Sequence, residues 1–321
     1  MNKLIAWLLI LFISFSCTSY FKNEKTTNYQ SDQYEYITKD DSFIDEIQDS
    51  LPGDFLSLTN GFTYYELANS NNDGPTLVLV HGFSVPSYIW DLTFDKAKDL
   101  GYKVLRFDLF GRGYSQNLDT DYTDNLFAKQ SWELIDSLSI SNPVLIGLSN
   151  GGRVISKMAH IFPNRVDKLV YVSSNGFNNI KELMDKTVSD NEITNYIKNY
   201  DFLSKSQKND FKNPEKFTNW DRKYSKLQKY RGFAKALIST RKNHISLDSI
   251  HIDLAKTDID IFTLWGEHDS VVIYKDFESK LNQILPNRKE FFFQSAGHLP
   301  QMESPNKFNT ILFENILDFT K

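Results

Sequence analysis

Apolar residues in this chain fall in short runs closed by polar or glycine-bearing turns, and the runs at 76–80, 143–148, 168–173 and 259–265 read as buried strands. A further run, at 289–294, empties into Ser295-Ala296-Gly297-His298. Upstream, 55–58 and 62–67 pattern as two strands joined through Asn60-Gly61, a hairpin signal. After the run at 143–148 the pattern turns helical. Between the strands at 168–173 and 259–265 lie about eighty residues with no strand pattern, more than a simple crossover needs. There Trp220, Tyr224, Leu227, Ala234 and Leu237 recur at helical spacing among Lys, Arg and Gln, which predicts an inserted helical segment. Most of that stripe is expected to pack as core.

The turn after the 143–148 run carries the first chemistry. It reads Gly147-Leu148-Ser149-Asn150-Gly151-Gly152, a G-x-S-x-G between a strand and a helix. In such an elbow the serine is held on a strained turn, and glycines two residues before and after leave room for neighbouring backbone. Ser149 is therefore a candidate nucleophile. A hydroxyl at its ordinary pKa attacks poorly, so it needs a base, normally His, and the base needs an acid to orient it. Asp269 follows the strand at 259–265 and His298 follows the strand at 289–294. In an open parallel sheet these strand ends share one edge with the elbow. Glu267 is a rival acid that sits closer to its strand end.

Several motifs resemble the α/β-hydrolase family over roughly 54–319. Residues 76–83 end in His81-Gly82-Phe83, like the turn that carries the oxyanion loop, and Trp90 falls where many relatives have Trp. Asp108-Leu109-Phe110-Gly111-Arg112-Gly113-Tyr114-Ser115 is similar to the D-x-x-G-R/H-G-x-S turn, and the order Ser149, Asp269, His298 matches that of the family. The resemblance implies an α/β fold, with a mostly parallel central sheet, helices on both faces and an inserted helical cap. It implies an oxyanion hole built from the main-chain N–H groups of Phe83 and Asn150, with His81, Gly82, Gly147 and Gly151 as structural residues of the motif. The segment Phe83-Ser84-Val85-Pro86 lacks the extra glycines of an HGGG loop, which points to the HG-x class. Asn150 stands where Met or Gln is common and could shape the acyl pocket. Asn175 occupies a second position at which relatives can carry the acid, which favours Asp269.

The implied activity is a serine hydrolase that cleaves a carboxylic ester or related acyl bond through an acyl-enzyme. A carbon–carbon hydrolase of the meta-cleavage type, acyl transfer, and a non-catalytic ligand-binding homologue are the alternatives. A serine rather than an aspartate at the elbow disfavours dehalogenase and epoxide-hydrolase chemistry. No cofactor or metal is expected, since the chain lacks H-E-x-x-H, paired C-x-x-C and a suitably placed G-x-G-x-x-G. Of the remaining histidines, His81 is expected to hold the oxyanion loop, His160 to pack on its helix, His244 and His251 to be solvated in a polar irregular stretch, and His268 to be structural.

Composition completes the picture. The 321 residues are 40% hydrophobic, enough for one substantial core, and carry a net charge of −5, which argues against a nucleic-acid partner. Residues 176–244 run against that balance with a net charge of +7. A solvated helical surface accounts for this, and a face turned toward anionic headgroups or anionic substrates is the sharper alternative. The chain opens Met1-Asn2-Lys3, followed by 13 uncharged, mainly apolar residues at 4–16, too short for a membrane span but suited to a signal sequence. Cys17, the only cysteine, ends that run and resembles the lipidated cysteine of bacterial lipoproteins. The expected organisation is a signal and lipobox region at 1–17, a polar tether at 18–50 that ends in a docking segment, a core at 51–175 and 259–321, and a cap at 176–258. The expected location is the bacterial envelope, membrane-attached by lipid or else periplasmic or secreted. Oligomeric state is not legible.

Overall fold

A computed structural model describes residues 36–318. Cys17, the signal region and most of the proposed tether lie outside the described residues. Among the described residues eight strands form one sheet: β1 (Asp54–Leu58), β2 (Gly61–Ala68), β3 (Leu77–Val80), β4 (Val104–Phe107), β5 (Val144–Leu148), β6 (Lys168–Val172), β7 (Asp260–Gly266) and β8 (Lys289–Phe293). Their order is β1-β2-β4-β3-β5-β6-β7-β8. The hairpin β1–β2 pairs antiparallel, as does β2 with β4, and every pairing from β4 to β8 is parallel. This is the α/β-hydrolase fold.

Helices accompany the sheet. Within the described residues they are α1 (Asp41–Ile47), α2 (Asp91–Asp99), α3 (Asp124–Ser137), α4 (Asn150–Ile161), α5 (Asp190–Lys198), α6 (Tyr200–Ser206), α7 (Trp220–Ser225), α8 (Phe233–Lys242), α9 (Asp248–Leu254), α10 (Glu278–Ile284), α11 (Pro300–Glu303) and α12 (Pro305–Thr310). Shorter helical turns connect several of them. Among the described residues no helix is long and apolar enough to cross a membrane.

The central strands β3 to β7 are largely buried on both sides, so successive residues feed two different cores. Val78, Val80, Leu145, Leu169 and Tyr171 face one layer, where Phe127 and Ile135 of α3 and Val154, Ile155 and Met158 of α4 pack against them. Leu77, Leu79, Val144, Ile146 and Val172 face the other, which holds Phe94 of α2 and Phe308 of α12. The second layer continues into the inserted helices through Tyr200, Trp220, Phe233 and Leu237. All five residues of the helical stripe foreseen from the sequence are buried, although Gly232, at φ +89°, interrupts the chain between α7 and α8.

Contacts on α4 and ahead of β1 help bind the inserted segment to the rest. Helix α9 packs on α4: buried His251 meets the Ser156 hydroxyl at 2.9 Å, and Ser156 in turn meets the Tyr171 hydroxyl at 3.0 Å. Ahead of β1, Ile37 pairs with Tyr230, and the buried Lys39 ammonium donates to the Gly113 carbonyl at 3.0 Å. Burial pulls the Lys39 pKa down to about 7 against the opposing charge of Asp108. Phe43 of α1 covers the Tyr230 ring edge-on.

Candidate active site

Ser149 sits between β5 and α4 with φ +51° and ψ −115°, a conformation an L residue adopts at a cost of about 1–3 kcal/mol. Its neighbours in the turn have no room for side chains. A methyl group built on Gly147 would lie 2.5 Å from the Gly151 carbonyl oxygen, and one on Gly151 would overlap the carbonyl oxygen of Val80. Gly152 is equally constrained, since its methyl would collide with the Ser174 hydroxyl. Gly82 differs: a methyl there would be in ordinary contact, 3.5 Å from Cβ of Ser149, so overlap alone does not demand glycine. It does show that the turn after β3 lies directly over the serine.

Because β3, β5, β7 and β8 run parallel, the loops bearing Phe83, Ser149, Asp269 and His298 all leave the same edge of the sheet. His298 Nδ1 lies 2.8 Å from Asp269 Oδ2. The other Asp269 oxygen accepts from the N–H groups of Val271 and Val272, both at 2.8 Å, so the carboxylate is held rigidly. Glu267 and His268 are exposed, and neither joins this group. Among the described residues no hydrogen bond links the Ser149 hydroxyl to the His298 ring. Such bonds are often loose without substrate.

Burial opposes a charge on His298, but the Asp269 carboxylate, by charge and hydrogen bond, and Asp210 outweigh it and hold the pKa above the ordinary value. Asp210 has no signal in the sequence. It closes a short helical turn in the inserted segment, and its carbonyl accepts the His298 N–H at 2.8 Å. Burial, opposed by His298 and aided by Asp269, pushes the Asp210 carboxyl up to about 6. The same turn is fastened on both sides, by Ser270 Oγ to the Asn209 carbonyl at 3.3 Å and by Glu303, which accepts from Gly297 N–H at 2.5 Å and Asn213 N–H at 3.0 Å.

The loops facing Ser149 are ordered by buried polar groups. His81 Nε2 accepts from Leu109 N–H at 2.9 Å, so the proton rests on Nδ1 and is given to the Gly82 carbonyl, also at 2.9 Å. Burial and Arg112 lower the His81 pKa to about 3, which leaves it neutral and structural. Arg112, wholly buried, donates from Nε to the Phe83 carbonyl at 2.9 Å and from Nη2 to the Thr240 hydroxyl at 2.8 Å. It ties the loop after β3 to α8. Asn150, first residue of α4, has a main-chain N–H without an intrahelical acceptor, as any first helical residue does.

Three histidine expectations are corrected by the structure. His244 is partly buried rather than solvated: its Nε2 lies 2.8 Å from Asn150 Oδ1, and burial together with Arg153, Arg112 and Arg241 lowers its pKa well below the ordinary value. His251 is fully buried in α9, as described above. His160, expected to pack, is exposed at the end of α4. Polar neighbours in the sequence misled in the first two cases, because the burying partners come from α4 and β6, far away in the chain.

The family model described as alpha/beta hydrolase fold matches residues 75–305. Lipase 3 of a Moraxella species is 26% identical over 269 residues, covering 78% of this chain and 79% of that protein. Uncharacterized proteins of Mycobacterium tuberculosis and Mycobacterium bovis are 33% identical over 103 residues, and this match spans only 30% of their length. Among solved structures, an esterase from Exiguobacterium antarcticum superposes with a TM-score of 0.67 at 20% identity, covering 83% of this chain and 99% of that one. The meta-cleavage product hydrolase of Pseudomonas fluorescens gives the same TM-score at 19% identity, over 83% of this chain and 98% of that one.

Proposed function

The chain belongs to the alpha/beta hydrolase fold family, and on that premise we propose that it is a serine hydrolase that cleaves a carboxylic ester or related acyl bond. The observation that carries this reading is the 2.8 Å Asp269–His298 hydrogen bond at the sheet edge where Ser149 sits on its strained turn. Asp269 keeps the imidazole proton on Nδ1, which leaves Nε2 free to take the Ser149 proton. Ser149 Oγ then attacks the carbonyl carbon, and the oxyanion is met by the N–H groups of Phe83 and Asn150. His298 returns the proton to the leaving oxygen as the acyl-enzyme forms. Water, deprotonated by His298, attacks next, and collapse of the second tetrahedral species frees the acid and restores Ser149.

A fluorophosphonate probe tests the nucleophile directly. Peptide mapping should find the label on Ser149 in the wild type and none in His298→Ala. Correctly folded wild-type protein that takes no label would overturn the reading and favour a ligand-binding role. The amino-terminal pattern supports an exported, lipid-anchored form of the enzyme. Metabolic labelling with a palmitate analogue should mark the protein and be lost in Cys17→Ser.

A further inference from the structure

Acyl transfer at Ser149 leaves a buried amide beside it without a use. Asn150 is fully buried, its side-chain oxygen is bound to His244, and its amide nitrogen has no partner among the described residues. A buried donor left unpaired is a standing free-energy cost, and folding has not relieved it. His244, just beyond α8, reaches further than Asn150. Its ring packs edge-on against the Phe83 ring, with centroids 6.4 Å apart and planes at 68°. One imidazole from the inserted segment thus touches the side chains of both residues whose main-chain N–H groups would face the oxyanion. Asn150 Oδ1 can only accept, so the His244 ring donates Nε2–H to it, which turns the amide N–H₂ away from the ring.

A use for that donor follows from the chemistry. The leaving oxygen must face His298, which protonates it, so the side occupied by Asn150, Phe83 and His244 is left to the acyl half. We propose that the Asn150 amide, oriented by His244, donates a hydrogen bond to the acyl group. The enzyme then favours acyl chains with an acceptor oxygen close to the scissile carbonyl, as in alkoxy or oxo acids, over plain alkyl chains. A site that offers a buried donor discriminates by leaving that donor unpaired with the wrong substrate. The inference rests on Ser149 acting as the nucleophile.

The test uses p-nitrophenyl methoxyacetate and p-nitrophenyl butyrate, which differ by one oxygen in place of a methylene. Their kcat/KM ratio in the full-length wild type should exceed the ratio of their spontaneous hydrolysis rates. In Asn150→Leu the ratio should fall by about five- to tenfold. His244→Phe should lower it similarly, and His244→Gln, which keeps an N–H donor, should recover most of it. A wild-type ratio equal to the spontaneous one overturns the proposal. So does an equal loss on both esters in both variants, which is what a purely structural role would give. Protein labelled at Ser149 by a fluorophosphonate that hydrolyses neither ester refutes the acyl preference and leaves the nucleophile standing. Folded protein without the label removes both.

Discussion

The elbow at Ser149 and the inserted helices between β6 and β7 meet the same reaction space by opposite means. Around the elbow the main chain itself is the device: a strained φ, three glycines at which any added methyl would run into a carbonyl or a hydroxyl, and a first helical N–H without an intrahelical acceptor. The inserted segment touches the site at isolated points. Asp210 meets His298, His244 meets Asn150, and Thr240 meets Arg112. In the proposed reaction the first region supplies the geometry, while the second bears on the charge and proton affinity of His298.

This contrast can be broken by substitution, beginning with the largest effect. Ser149→Ala should lower kcat by about 10⁶-fold with an unchanged circular dichroism spectrum, and Asp269→Asn by about 10⁴-fold, since the imidazole loses its tautomer. Retention of substantial turnover in either would remove the mechanism. Asp124→Ala should cost roughly 3–5 kcal/mol in urea denaturation, because it strands the wholly buried Arg153 that pairs with Asp124 at 2.7 Å and holds the Ile245 carbonyl beyond α8. Gly151→Ala should cost about 1–3 kcal/mol by the same measurement, as the new methyl must displace the Val80 carbonyl. A neutral result there would mean that the elbow is softer than its contacts imply.

The smallest expected effect is on pH. In the proposed mechanism His298 must be neutral to accept the serine proton, so kcat/KM should rise with pH through its pKa. That pKa is raised, which sets the acid limb above the ordinary value of 6.5. Asp210→Asn removes one of the charges that favour the imidazolium and should shift the limb to lower pH, while kcat on the plateau changes little. A limb that stays in place would show that the inserted segment does not tune the base.

Much of the elbow's side of this comparison was readable from residues in order. The runs at 143–148, 168–173 and 259–265 became β5, β6 and β7, and the Asn60-Gly61 hairpin joined β1 to β2. Asp269 and His298, each placed just past a strand end, came within 2.8 Å of each other. These features are local: a buried parallel strand demands an apolar run, and a backbone with no room demands glycine, so each leaves a mark within a few residues. The direct hydrogen-bonding of Asp210, His244 and Thr240 to the site left no such mark. Polar neighbours made His244 and His251 look solvated, and Asp210 was one acid among many in a basic stretch. Their roles depend on where α8, α9 and the turn after α6 dock. That docking is decided by packing between side chains distant in sequence, including Tyr200, Trp220 and Phe233, which are buried against partners that periodicity does not name. The chain's order of residues determined the sheet and the elbow, while tertiary packing alone decided which groups of the inserted segment reach Asn150, Arg112 and His298.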